Sequence, residues 1–154
     1  MKATRAVKTL FGPAAAGLAL TLGACGGGST TPTPMATPSP VVTSVVIEGG
    51  SGLAANTISR SVITTPVSGR LDVTINWSLD SDDLDVFVAR GNCNFDRFFA
   101  GQCEVLGSGE SRAAKPETAS VAAAAAGPYT LFVGNHGPGD EGYSWKVVIT
   151  PDGQ

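Results

Sequence analysis

The sequence predicts an all-β fold, a single antiparallel β-sandwich of about seven or eight strands, and three observations predict it. From Leu71 to Val88 apolar and polar residues alternate, with Leu71, Val73, Ile75 and Trp77 on one face and Asp72, Thr74, Asn76 and Ser78 on the other. After an acidic turn, Leu84, Val86 and Val88 share a face while Asp85 and Phe87 point the opposite way, as successive side chains of a strand do. The stretch reads as two half-buried antiparallel strands joined by a loop. Further β-branched and aromatic runs recur down the chain with Gly, Pro and Asn between them. The roughly 110 residues that carry this pattern suffice for one real core.

The chain divides into three segments. Residues 1–24 have Lys2, Arg5 and Lys8 ahead of an apolar stretch from Leu10 to Leu22, the layout of a secretory signal segment. That stretch is shorter than the roughly 20 apolar residues that cross a bilayer as a helix. It ends in Leu22-Gly23-Ala24-Cys25, which resembles the lipobox of bacterial lipoproteins, and that resemblance implies palmitate or similar acyl chains on Cys25 as the mature N-terminus. Gly26 after the cysteine fits onward sorting to an outer membrane. Residues 25–40 hold Gly, Ser, Thr, Pro, Ala and one Met with no charge, the composition of a disordered or polyproline-like spacer. Residues 41–154 are the sandwich.

Within the sandwich, Val41 to Glu48 is a β-branched run stopped by Gly49-Gly50, and Asn56 to Val67 suggests a second strand. The two central strands follow. The piece from Arg90 to about Glu117 is the longest irregular one, and such pieces in compact domains are commonly functional. Glu117 to Ala126 sets propensity against context: Ala122 to Ala126 favours helix, the β surroundings favour strand, and strand is the expectation. Tyr129 to Val133 is a strand ended by a Gly-rich loop from Gly134 to Gly139. Tyr143 to Thr150 closes the fold with Tyr143, Trp145, Val147 and Ile149 on one face, so Trp145, like Trp77, reads as core.

Of three cysteines, assigning Cys25 to lipid leaves Cys93 and Cys103, an even pair expected to bond in an oxidising compartment. Closing a loop of about ten residues stabilises by roughly 3 kcal/mol. The rival is a metal site, but two thiols and the single His136 are too few ligands for a closed zinc site. Losing Lys2, Arg5 and Lys8 from ten basic residues leaves seven against 13 acidic, a net charge of −6 on the mature chain. That balance disfavours nucleic acid and anionic lipid surfaces and leaves cations and neutral ligands open.

Asp83-Leu84-Asp85-Val86-Phe87-Val88, with Gly127-Pro128-Tyr129-Thr130-Leu131-Phe132-Val133 and Tyr143 to Ile149, resembles the bacterial pre-peptidase C-terminal domain. The similarity covers roughly Gly69 to Thr150. It implies a jelly-roll-like sandwich acting as a non-catalytic accessory module, some of whose relatives bind calcium and some fibrous protein or polysaccharide. The Cys93 to Cys103 loop is not part of that family's pattern.

Two stretches are candidate sites. Asp80, Asp82, Asp83 and Asp85 offer carboxylates to a hard cation such as Ca2+, with Asp140 or Glu141 as distant donors. Their spacing is not that of an EF-hand, and the competing reading is an acidic turn whose side chains cap backbone N–H groups. The Cys93 to Cys103 loop carries Phe95, Arg97, Phe98 and Phe99, residue types that anchor partners, or that fold back to cover the sandwich. His136 has no evident partner, and no nucleophile-elbow sequence accompanies it, so no enzyme is expected. The expectation is a membrane-anchored extracytoplasmic lipoprotein with a binding module for an envelope protein or polysaccharide. The alternative is a purely structural envelope lipoprotein.

Overall fold

A computed structural model describes residues 43–112 and 115–152. The expectations for the signal segment, Cys25 and the spacer lie outside the described residues. Eight strands follow in chain order, β1 (Val45–Leu53), β2 (Ile58–Thr65), β3 (Gly69–Trp77), β4 (Leu84–Arg90), then the short helix α1 (Phe95–Phe99), and β5 (Val105–Gly109), β6 (Glu117–Ala124), β7 (Gly127–Asn135) and β8 (Glu141–Pro151).

They form two four-stranded antiparallel sheets, ordered β1-β8-β3-β6 and β2-β7-β4-β5. Four of the ladders are nested: β1 with β8, β2 with β7, β3 with β6 and β4 with β5. The chain is thus one long ribbon, doubled back at β4–β5 and wrapped so that its halves alternate between sheets, which is jelly-roll connectivity. The expected all-β sandwich is the observed fold.

Period-two patterning decides the core. Leu71, Val73, Ile75 and Trp77 of β3 meet Leu84, Val86 and Val88 of β4, Tyr129, Leu131 and Val133 of β7, and Tyr143, Val147 and Ile149 of β8, all buried. β3 and β4 do not pair with each other; β3 lies between β8 and β6, β4 between β7 and β5. Alternation reports which face of a strand is apolar, not which strand lies beside it, and these two faces look at each other across the core.

Two boundaries moved. β1 runs on through Gly49 and Gly50, because glycine is what the packing needs there: a Cβ on Gly49 would overlap the Trp145 indole. The stretch from Arg90 to Glu117 holds α1 and the edge strand β5, whose Gly107 and Ser108 gave little strand signal. The alanine-rich segment is a strand as expected. Ala119, Val121 and Ala124 face the core, and the ladder to β3 overrides alanine's helix preference.

Candidate functional site

The two sheets differ in what covers their outer faces. On the β2-β7-β4-β5 sheet a second apolar cluster forms, with Ala89, Cys93 and Phe132 buried and Ile58, Phe87 and Phe98 packed against them. β7 is therefore apolar on both sides, which explains its unbroken burial from Tyr129 to Asn135. The lid of this cluster is α1. Asn94 caps the helix by accepting from the Arg97 N–H at 3.0 Å. The disulfide between Cys93 and Cys103 closes the loop behind it. Thr130, buried on β7, fixes the loop's start by accepting from the Cys93 N–H at 2.9 Å and donating to the Gly91 carbonyl at 2.7 Å. Arg60 of β2 adds bonds to the Cys93 carbonyl and the Asn92 side chain.

The three loop phenylalanines have different fates. Phe98 lies flat on Phe132, ring centroids 4.1 Å apart, and meets Phe87 edge-on at 5.4 Å. Phe95 leans on Phe132 at 5.9 Å. Phe99 touches the other two aromatics of the loop but keeps 70% of its surface in water. Arg97 turns away and donates to the Gln102 carbonyl at 3.2 Å, bracing the loop rather than facing outward with the phenylalanines. Between α1 and the β7–β8 loop runs a groove of about 650 Å³ lined chiefly by Ile58, Phe87, Phe95, Phe98, Phe99 and His136. Its walls are mostly apolar.

His136 stands where this groove meets a second, polar pocket of about 550 Å³, lined by Asp83, Asp85, Glu110, Arg112 and His136 itself. The histidine does have a partner, contrary to the sequence reading: its Nε2 lies 3.0 Å from Asp85 Oδ2, and its backbone N–H donates to the Asp83 carbonyl at 2.8 Å. Asp85 and His136 are 51 positions apart in sequence, so only the register that sets Asp85 opposite Gly134 brings them together. Burial pushes the Asp85 carboxyl above its ordinary range; the neighbouring His136 opposes this and the charges of Asp83 and Glu110 add to it. Glu117, close by, is raised mainly by burial, against hydrogen bonds from the Thr118 and Ser111 N–H groups. The Oδ1 atom of Asp83 is buried and has no hydrogen-bond partner among the described residues.

The four aspartates of the turn do not converge. Asp82 points inward and accepts from the Gly139 N–H at 3.2 Å, against Gly137, whose position leaves no room for a Cβ. Asp80 points out to Lys115, with Nζ 2.5 Å away, and that ion pair lowers its carboxyl. Asp85 and Asp83 belong to the pocket around His136. Among the described residues no three His, Cys, Asp or Glu side chains are gathered as a metal cluster. The turn is instead held by Glu141, a buried carboxylate that accepts from the N–H groups of Ser78 and Leu79, both at 2.9 Å, and from the Ser78 hydroxyl. Burial alone would raise Glu141, but these bonds outweigh it and leave its carboxyl lowered. Trp77 completes the frame by donating to the Asp82 carbonyl at 3.1 Å.

No family model and no curated protein matches the chain. Among solved structures it is similar to Aeromonas hydrophila PliG, described as a periplasmic lysozyme inhibitor of g-type lysozyme, at 17% identity over 75% of this chain and 93% of that one, with a TM-score of 0.44.

Proposed function

We propose that this protein is a non-catalytic binding module of the bacterial cell envelope, tethered to a membrane by acyl chains on Cys25, that grips a polypeptide partner in the groove beside α1. The observation that carries the binding part is Phe99. Phe98 and Phe95 cover Phe132, and Phe98 also meets Phe87, yet a third large aromatic is held out in water on the same short, disulfide-closed helix. Burying a phenylalanine is worth about 1.5–3 kcal/mol, so leaving one exposed beside a preformed apolar groove stores that stabilisation for a partner. The Leu22-Gly23-Ala24-Cys25 sequence and the uncharged spacer support the anchor. The non-catalytic reading is supported by His136, whose hydrogen-bond partners among the described residues are Asp85 and the Asp83 carbonyl, with no serine, threonine or cysteine bonded to it.

The test uses the mature chain exported without lipid, through Cys25→Ser behind a cleavable leader, and N-phenylnaphthylamine, a neutral dye that brightens in apolar sites. Saturable brightening that Phe99→Ser removes, at an unchanged melting temperature, is the expected result. Equal brightening of the variant means that the groove is not the binding surface. The anchor is tested separately by metabolic labelling with radioactive palmitate, which Cys25→Ser abolishes if the lipid sits there.

A further inference from the structure

The reading of the groove as a binding surface leaves open what its occupant carries, and the polar pocket next to it bears on that. We infer that the aromatic groove and the acidic pocket form one composite site for a protein segment in which an arginine or lysine side chain adjoins an aromatic or large aliphatic one. This rests on the proposed binding role of the groove. The two halves share a wall: His136 lines both, so an apolar side chain seated against Phe99 and Phe98 places its neighbour over Asp83, Asp85 and Glu110. Charge complementarity sets the sign of that neighbour. Three carboxylates line the pocket against one arginine, Arg112, and the histidine. The Asp85 carboxyl is held up by burial and by its acidic neighbours Asp83 and Glu110, which line the same pocket; a guanidinium or ammonium there offsets their charge, whereas an anion adds to it.

Size favours a polypeptide over a free amine. The groove and the pocket together are larger than one side chain fills, and both lie open to solvent along the same face. The acidic balance of the mature chain points the same way, because it draws basic surfaces to the protein at long range before the short-range match is made.

The experiment titrates the lipid-free mature chain with a capped heptapeptide, Gly-Ser-Phe-Arg-Phe-Ser-Gly, and with its counterpart bearing Glu in place of Arg, by calorimetry at low and high salt. The arginine peptide is expected to bind at least about tenfold more tightly, with the preference shrinking as salt rises. The double variant Asp83→Asn with Glu110→Gln, which keeps side-chain shape, is expected to bring the two peptides within about twofold while leaving dye brightening intact. Two peptides that bind alike, or neither binding, overturn the inference. In either case dye brightening that depends on Phe99 shows that the groove itself still stands. Phenethylamine binding as tightly as the arginine peptide also overturns it, because the site would then serve a small cationic amine.

Discussion

The acidic turn and the disulfide loop are built on opposite plans. In the turn between β3 and β4, most inward polar groups are answered, Asp83 Oδ1 excepted: Glu141 and Asp82 accept from backbone N–H groups and Trp77 donates to the Asp82 carbonyl. In the loop around α1, polar groups fix the frame and apolar groups are left outward, Phe99 most of all. A loop whose side chains are consumed by its own backbone is structural. One that spends hydrogen bonds and a covalent link on holding hydrophobic surface in water has something to present.

Glu141→Ala cuts deepest into this contrast. It strips two N–H groups and a hydroxyl of their acceptor, and a loss of about 3 kcal/mol is expected in urea unfolding, with dye brightening in the groove retained. Replacing Cys93 and Cys103 together by Ala should cost about 2–3 kcal/mol from the lost loop closure, and here the dye signal should fall as well, because the helix carrying Phe99 loses its brace. Phe98→Ala removes the ring stacked on Phe132 and should cost about 2 kcal/mol, making it a core residue of the smaller cluster.

Acid titration separates, by sign, the carboxylate that braces the turn from those at the pocket beside it. Glu141, lowered in the folded state, adds stability that is present above its unfolded pKa and is lost as pH falls through its folded value. Asp85 and Glu117, raised in the folded state, contribute the other way: their part is full below the unfolded pKa and is lost as pH rises through the folded one. Unfolding free energy followed through the carboxylate range should therefore lose its acid-side fall in Glu141→Gln and its neutral-side decline in Asp85→Asn. The smallest effect belongs to Phe99→Ala, within about 0.5 kcal/mol of the parent. A larger loss would make Phe99 part of the packing and remove the contrast altogether.

How far the sequence reached follows from what each signal encodes. Alternation along Leu71–Trp77 and Leu84–Val88 states which residues are inside, and every one of them is buried. It is silent on pairing, and only the structure shows that β3 and β4 lie in opposite sheets and face each other. β5 escaped notice because its sequence, Val105-Leu106-Gly107-Ser108-Gly109, has glycines where close approach to the Ser120 and Thr118 carbonyls forbids a Cβ. The disulfide is legible by counting, since two thiols in a domain expected to be exported have few other uses. The pairing of His136 with Asp85 and the bonds of Glu141 to Ser78 and Leu79 depend on β-ladders between distant segments, and no local pattern carries them. The Phe95, Phe98 and Phe99 cluster was visible as composition, but which ring would be spent on Phe132 and which left in water was decided by the pitch of a single helical turn.

The antiparallel ladder between β1 and β8 has a mechanical side. β1 starts at Val45 opposite Ile149 and ends at Leu53 opposite Glu141, while Ile58, Gly134 and His136 of the groove cluster at the Leu53 end. Tension applied to the chain ahead of Val45 and resisted by cargo held at the groove runs parallel to the strands. Ladder bonds lie across the strands, so such a pull loads the rungs of β1 in shear, all at once, instead of unzipping them one by one from a frayed end. Were the chain anchored ahead of Val45 and loaded at the groove, as proposed, its first strand would be in the orientation that best withstands being tugged.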